Sequence, residues 1–246
     1  MTAPFWCSAI LDLEPASYDA ALTFWRDVTG WEVSPARGEV GEFVSLVPPT
    51  GDRHLLVQRL GSGRSRIHLD VHVADPRAAA ERALALGGRE VADLGYVVMA
   101  SPGGFPFCLV THRASEPAPA TTWADGQASL VDQVCLDIPG ELYDREEAFW
   151  AELTGSGVEP SPRYAEFRWL TPTEGRGVRL LLQRLDDPLG EVRAHLDLST
   201  TDRAAETARH EALGATRVAD FDAWTLLTDP AGLPYCVTDR VPRARG

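Results

Sequence analysis

The stretch that decides the fold is Arg-Ile-His-Leu-Asp-Val-His-Val at residues 66–73, because it recurs as Arg-Ala-His-Leu-Asp-Leu-Ser-Thr at residues 193–200. In both copies apolar and polar side chains alternate, which is the period of a half-buried β-strand. The His and the Asp of each copy are two residues apart and therefore share one face of their strand. That spacing corresponds to roughly 6.5–7 Å along the chain. We expect both side chains to point into whatever this face encloses.

The surrounding sequence repeats with nearly the same spacing. Phe24-Trp25 returns as Phe149-Trp150, which is 125 residues later. Ser-Pro-Gly-Gly-Phe-Pro-Phe-Cys at residues 101–108 returns as Asp-Pro-Ala-Gly-Leu-Pro-Tyr-Cys at residues 229–236, which is 128 residues later. Because the offset drifts by only three residues between these landmarks, the chain is a tandem duplication.

Each half reads as two β-α-β-β-β modules. In the first half a helix is predicted over residues 15–30 and another over residues 75–88, since Pro near the start and Gly at the end punctuate both. Short strand patterns parted by Pro and Gly surround these helices. Residues 114–127 are rich in Pro, Ala and Thr and lack periodicity, which predicts a linker. The predicted domains therefore span residues 1–113 and 128–242.

The composition excludes several functional classes. The chain has 246 residues, 44% of them hydrophobic, and a formal net charge of −13. This acidity argues against binding to nucleic acid or to an anionic membrane, both of which need basic patches. The start has no pattern of a secretory signal, no apolar run approaches the ~20 residues of a membrane span, and the four cysteines lack paired spacing. We expect a cytoplasmic protein.

The ordered set of motifs resembles the vicinal oxygen chelate superfamily, which includes glyoxalases, bleomycin-resistance proteins and extradiol dioxygenases. The features that carry this resemblance are the Phe-Trp helix ending in Thr-Gly, the His-Leu-Asp strand and the closing Pro-x-Gly-x-x-(Phe/Tyr)-Cys segment. The glyoxalase-like subgroup with Cys in the last strand is the most similar. The resemblance covers both halves and implies an α+β fold of two tandem domains. Each would curl eight strands around a cup.

The resemblance also implies where a metal would bind. Metal-dependent members place ligands, usually His and Glu, on the first and last strands of each module. At these positions the first half has Ser8, Gln58, His68 and Cys108, and the second half has Gln133, Gln183, His195 and Cys236. A neutral carboxamide is a poor ligand for a divalent cation, and two good donors per half are fewer than the three a catalytic zinc needs. The sequence therefore favours a pocket without metal. A divalent metal, if present, would use His68, Cys108, His195 and Cys236.

The candidate ligand-binding residues keep structural alternatives. His68 and His195 either act in a pocket or are core histidines paired with Asp70 and Asp197. Cys108 and Cys236 are either reactive thiolates or small buried apolar groups. Gln58 and Gln183 either bind ligand through their amides or have buried partners. Aromatic side chains either line an apolar cup or pack the core; the candidates for the cup are Tyr96, Trp224, Trp169 and Phe43.

Three functional classes remain open. The first is a metal-free module that binds a small apolar or aromatic molecule, as drug-sequestering relatives do. The second is a metal-dependent lyase, isomerase or dioxygenase. The third is metal-free catalysis with His as the base. The sequence favours the first class. It leads us to expect a small-molecule partner and pairing of the two domains within one chain, and it leaves a homodimer open.

Overall fold

The computed structural model describes residues 3–171 and 175–242. The first half has the two predicted β-α-β-β-β modules. In chain order its elements are β1 (Trp6–Leu13), α1 (Tyr18–Thr29), β2 (Glu32–Val33), β3 (Phe43–Val47), β4 (Leu55–Arg59), β5 (Arg66–His72), α2 (Pro76–Ala85), β6 (Arg89–Asp93), β7 (Val97–Ala100) and β8 (Pro106–Val110).

The second half repeats this order after one short additional strand, β9 (Thr121–Thr122), which lies inside the predicted linker. The elements that follow β9 are β10 (Ala128–Ile138), α3 (Tyr143–Thr154), β11 (Gly157–Pro160), β12 (Phe167–Thr171), β13 (Arg179–Arg184), β14 (Arg193–Thr200), α4 (Arg203–Ala212), β15 (Thr216–Asp220), β16 (Trp224–Thr228) and β17 (Pro234–Thr238).

The strand order is the same in both halves, and it confirms the predicted α+β class. The first sheet runs β2-β3-β4-β1-β5-β8-β7-β6, and the second runs β11-β12-β13-β10-β14-β17-β16-β15 with β9 paired to β10. Within the second module of each half, the first and last strands pair in parallel, β5 with β8 and β14 with β17. The duplication read from the sequence is thus a duplication of topology.

Local sequence signals set the ends of the helices. The side chain of Asp75 accepts a hydrogen bond from the backbone N–H of Ala78 at the start of α2, and Asp202 does the same for Ala205 at the start of α4. At the end of α1, Gly30 has a φ of +68°, a conformation that favours glycine because it has no Cβ.

The residue contacts divide the chain into two compact units, each of which contains one module from each half. Unit 1 comprises Met1–Ala9, Ile67–Ser115 and Val134–Ala194. Unit 2 comprises Ile10–Arg66, Glu116–Gln133 and His195–Gly246. The domain and linker boundaries expected from the sequence stay predictions.

Each unit has an aromatic core beneath a helix. In unit 2, the buried rings of Trp25 and Tyr235 have centroids 5.1 Å apart, and Phe24 packs against both. In unit 1, Phe107 packs against Trp150 at 5.2 Å and against Phe149. The Phe-Trp pair of each helix is therefore a core element. Edge-to-face rings of this kind add to the stabilisation that burial gives.

Strand β9 shows that part of the predicted linker is ordered. Thr122 and Thr121 pair antiparallel with Ala128 and Ser129 at the start of β10. The hydroxyl of Thr121 also donates to the backbone carbonyl of Thr29 at the end of α1. The composition of this segment does not reveal these contacts. Among the described residues, no helix combines the length and the apolar character needed to cross a membrane.

Candidate functional site

One cluster of potential metal ligands lies in unit 2 and consists of His195, Asp197 and Cys236. One ligand atom from each of these residues lies within 4.8 Å of the others, and all three residues are buried. The Nε2 atom of His195 is 3.3 Å from Oδ1 of Asp197. The strand pattern predicted that His195 and Asp197 share a face, and the resemblance placed His195 and Cys236 at the position of a metal site. The structure brings all three residues together.

The corresponding cluster in unit 1 consists of His68, Asp70 and Cys108, and its ligand atoms also lie within 4.8 Å of one another. Here Nε2 of His68 is 3.8 Å from Oδ1 of Asp70. The Asp70 side chain is 17% exposed, whereas that of Asp197 is 5% exposed. The two clusters therefore contain the same donor types but differ in compactness and access.

Strand register explains how each cysteine joins its cluster. On the parallel strands β5 and β8, Asp70 is the register partner of Cys108. On β14 and β17, Asp197 is the register partner of Cys236. Side chains at paired positions project to the same face of a sheet. The His-x-Asp strand and the final Cys are therefore brought together by one pairing that both halves share.

The second contact of the aspartate differs between the two clusters. In unit 2, Nε2 of Gln133 donates a hydrogen bond to Oδ2 of Asp197 at 2.5 Å. Gln133 is only 2% exposed, and its Oε1 atom is buried without a hydrogen-bond partner in the structure. This oxygen is a free acceptor beside a carboxylate that is already held in place. Buried acceptors of this kind are uncommon and call for an explanation.

In unit 1 the residue equivalent to Gln133 is Ser8, and it has a different partner. Its Oγ lies 3.0 Å from Nε2 of His72, and Nδ1 of His72 lies 2.7 Å from the backbone carbonyl of His112. A carbonyl only accepts hydrogen bonds, so Nδ1 of His72 carries a proton, and in the neutral imidazole Nε2 accepts from the Ser8 hydroxyl. Both side chains are buried. Ser8 is therefore engaged with His72 and does not take the role that Gln133 has in unit 2.

The remaining polar candidates have contacts of their own. Gln183 on β13 is half-buried, and the Cys135 thiol lies 3.9 Å from its Oε1 atom. Gln58 on β4 is half-buried and is the register partner of Phe43 on β3, so two candidates from the sequence are cross-strand neighbours. Their role in binding a ligand stays a prediction.

The aromatic candidates are half-buried, which suits either a pocket wall or the edge of a core. Trp224 stacks on Phe221 with ring centroids 4.9 Å apart. Trp169 on β12 has Glu159 and Leu181 as its register partners. Tyr96 lies directly before β7. The use of these rings in binding stays a prediction.

A buried thiol outside these clusters provides a contrast. Burial, with a smaller contribution from the Asp70 carboxylate, raises the pKa of Cys7 to about 12. Cys7 is therefore a neutral thiol at physiological pH. Its backbone pairs with the segment around Gly177, and its side chain lines a cavity of about 20 Å³ in unit 1. Cys7 is a structural residue.

The chemistry of the unit 2 cluster fits a zinc ion. Zinc binds imidazole nitrogen, thiolate sulfur and carboxylate oxygen at about 2.0–2.3 Å, so two ligands of a tetrahedral zinc are roughly 3.3–3.8 Å apart. For an imidazole nitrogen and a carboxylate oxygen the expected separation is roughly 3.3–3.5 Å. The His195–Asp197 distance of 3.3 Å matches it, whereas the His68–Asp70 distance of 3.8 Å is longer. A catalytic zinc takes three protein ligands, and each cluster offers three. Sequence reasoning counted only His and Cys as donors, and the structure adds Asp197 and Asp70 as a third potential donor in each cluster.

The sequence comparison identifies the family. The profile of the glyoxalase-like domain matches twice, over residues 5–110 and 133–238. The chain therefore belongs to the glyoxalase-like family and carries two tandem domains of the vicinal oxygen chelate fold. No curated protein matches this sequence.

Solved structures share the fold at low sequence identity. A manganese(II)-bound glyoxalase from Novosphingobium aromaticivorans is 16% identical, with a TM-score of 0.61 over 96% of this chain and 81% of that one. The 2,2',3-trihydroxybiphenyl 1,2-dioxygenase from Sphingomonas wittichii is 15% identical, with a TM-score of 0.62 over 100% of this chain and 93% of that one. The 2,3-dioxygenase LapB from Pseudomonas sp. KL28 is 12% identical, with a TM-score of 0.62 over 99% and 95%. These likenesses show the fold alone.

Proposed function

We propose that this protein is a zinc-dependent lyase or isomerase that acts on a small oxygen-containing molecule at the unit 2 cluster. The observation that carries the proposal is the convergence of His195, Asp197 and Cys236, three different zinc-binding side chains whose ligand atoms lie within 4.8 Å. The same donor types converge in unit 1. A functional assignment rests on such a site and not on the fold, because one fold supports many activities.

The donor set favours zinc over iron. Non-haem iron oxygenases use two histidines and one carboxylate, whereas this cluster offers one His, one Asp and one Cys. A thiolate together with an imidazole suits zinc, which has no redox chemistry of its own. When bound, zinc would supply a Lewis acid that polarises a substrate oxygen. These properties support a lyase or isomerase and argue against the dioxygenase activity named for some of the structural neighbours.

Gln133 has two roles in this proposal. Its Nε2 hydrogen bond to Oδ2 of Asp197 holds the carboxylate so that Oδ1 faces His195. Partners that orient a ligand in this way contribute substantially to metal affinity. Its Oε1 atom, which is buried without a partner, offers an acceptor to a substrate hydroxyl. Gln133 would thus position both the metal ligand and the substrate.

A metal-free pocket for a small apolar or aromatic molecule is the second candidate function. The observation that favours it is that Asp197 already has two polar partners, Gln133 at 2.5 Å and His195 at 3.3 Å. These contacts would satisfy the Asp197 carboxylate without a bound metal ion. In this case the buried polar groups would orient a bound molecule and would not coordinate a metal.

Cobalt(II) titration distinguishes the two candidates, because cobalt replaces zinc in such sites and gives a thiolate-to-metal charge-transfer absorption. We expect a saturable band for the wild type whose unit 2 part is lost in Cys236→Ser and which is retained in Cys7→Ser, a buried cysteine that lies outside both clusters. Cys108→Ser reports the share of unit 1. The absence of a saturable thiolate band in the wild type, or a band unchanged in Cys236→Ser, would overturn the zinc proposal.

A further inference from the structure

Unit 1 contains a cavity of about 180 Å³ whose lining includes no residue of either cluster. It is lined by Pro4, Val73, Ala74, Asp75, Ala78, Ala79, Arg82 and Leu153. The lining is apolar except for the Arg82 side chain and Asp75, whose carboxylate already caps α2. A cavity of roughly 150 Å³ with apolar walls is large enough to hold benzene. The volume is therefore sufficient for a small ring.

The duplication supplies a direct comparison for this cavity. By the 127-residue and 125-residue offsets, the equivalents of Arg82, Ala79 and Pro4 are Arg209, Glu206 and Ser129. The two arginines are held alike. Arg82 donates to the backbone carbonyl of Glu152 at the end of α3, and Arg209 donates to the backbone carbonyls of Asp27 and Val28 at the end of α1.

In unit 2 an aromatic ring covers the equivalent arginine. The guanidinium carbon of Arg209 is 3.6 Å from the ring centroid of Trp123, a close cation–π contact. The Trp123 Nε1 also donates to the hydroxyl of Ser129 at 2.9 Å. Glu206 forms an ion pair with Arg209 at 2.6 Å. The unit 2 groove therefore accommodates an aromatic ring stacked on its arginine.

In unit 1 the same groove is lined by smaller and less polar residues. Ala79 stands in place of Glu206, so the side chain that packs against the arginine in unit 2 is reduced to a methyl group. Pro4 stands in place of Ser129 and offers a flat apolar wall. Arg82 lines the cavity, and its closest carboxylate contact is with the exposed side chain of Glu152 at 3.6 Å. The unit 1 groove therefore retains an arginine side chain, Arg82, but has smaller residues around it than the unit 2 groove has.

We propose that the unit 1 cavity is a binding site for a planar aromatic molecule of about the size of indole, stacked on the guanidinium of Arg82. The ligand would occupy the place that the Trp123 ring has in unit 2. Cation–π stacking on Arg82 and contact with the apolar wall formed by Pro4, Ala79 and Leu153 would hold it. This site does not depend on the zinc proposal, since none of its residues belongs to either cluster.

Titration with 5-fluoroindole, followed by ¹⁹F NMR, tests the proposal. We expect one saturable site in the wild type. Ala79→Leu, which places a larger side chain in the cavity, should abolish this binding, and Arg82→Met should weaken it about tenfold. Thermal unfolding of both variants shows whether they remain folded, and Ala78→Leu is a second filling variant if Ala79→Leu does not fold.

Trp123→Ala provides the matched gain of function. Removing this ring should open the unit 2 groove and add a second binding site, because Arg209 is held as Arg82 is. The proposal is overturned if the wild type shows no saturable binding, if folded Ala79→Leu or Ala78→Leu binds as the wild type does, or if Trp123→Ala gains no site. Binding that persists in the presence of a zinc chelator separates this site from the clusters.

Discussion

Replacing Glu206 with Gln should destabilise the protein by about 3 kcal/mol at neutral pH. Glu206 is 0% exposed on α4; Arg209 donates to it at 2.6 Å, and Nε2 of His210 lies 3.0 Å from its Oε1. Burial alone would raise the pKa of Glu206, but the hydrogen bonds from His210 and Arg209 outweigh it and lower the pKa to about 2 from 4.5. A difference of about 2.5 pKa units corresponds to about 3 kcal/mol.

The sign of the pH dependence follows from this depressed pKa. The stabilisation is fully present above pH ~4.5, the value in the unfolded chain, and is lost as the pH falls towards ~2. Urea unfolding followed by tryptophan fluorescence at pH 7 and pH 3 measures it. Glu206→Gln should lose stability at pH 7 and become less sensitive to acid than the wild type.

Glu211→Gln is the control for this experiment, because Glu211 lies on the same helix in an exposed ion pair with Arg217. Exposed pairs contribute about 0–1 kcal/mol. A cost for Glu206→Gln that is no larger than the cost of the control, with an unchanged pH dependence, would refute the reasoning. That result would mean that His210 and Arg209 do not stabilise the ionised form of Glu206.

Three further perturbations have defined outcomes. Gln133→Leu should weaken zinc binding about 10–100-fold, measured by competition with a chelator, because Asp197 loses its orienting donor; unchanged affinity would contradict this role. Trp25→Phe should cost about 1–3 kcal/mol in urea unfolding, because Nε1 of Trp25 donates at 2.8 Å to the buried Asp229 carboxylate; a neutral effect would argue against it. Gly30→Ala should cost about 1–2 kcal/mol in the same assay, because its φ is +68° and the new Cβ would lie 3.1 Å from a ring carbon of Trp123; an unchanged midpoint would count against that strain.

The sequence predicted the features that depend on local pattern. Alternation placed His195 and Asp197 on one face, Asp75 predicted the start of α2, and the spacing of the Phe-Trp and Pro-x-Gly motifs revealed the duplication. These predictions succeeded because strand period, helix caps and repeat offsets are short-range properties of the chain. The profile match over residues 5–110 and 133–238 confirms the family that the motifs resembled.

The features that the sequence did not predict depend on long-range pairing. Cys236 is the register partner of Asp197 on a parallel strand, although the two residues are 39 positions apart in the sequence. The stacking of Trp123 on Arg209 connects a segment predicted as linker to a helix in the last module. The grouping of modules into compact units also depends on tertiary contacts, since each unit contains one module from each half. The strand pattern indicates Asp197 as a partner of His195, and its place as a third potential donor depends on the tertiary contact with Cys236.

The metal content of protein purified without a metal-affinity column tests the central claim most directly. The proposal predicts zinc bound in near-stoichiometric amount per chain, lost in His195→Ala and retained in a variant of the exposed His112. If less than one zinc is bound per cluster, we expect it in unit 2, because Gln133 holds the carboxylate of Asp197 in place there. Protein that contains no zinc and gains no thermal stability when zinc is added would contradict the proposal and favour the metal-free pocket.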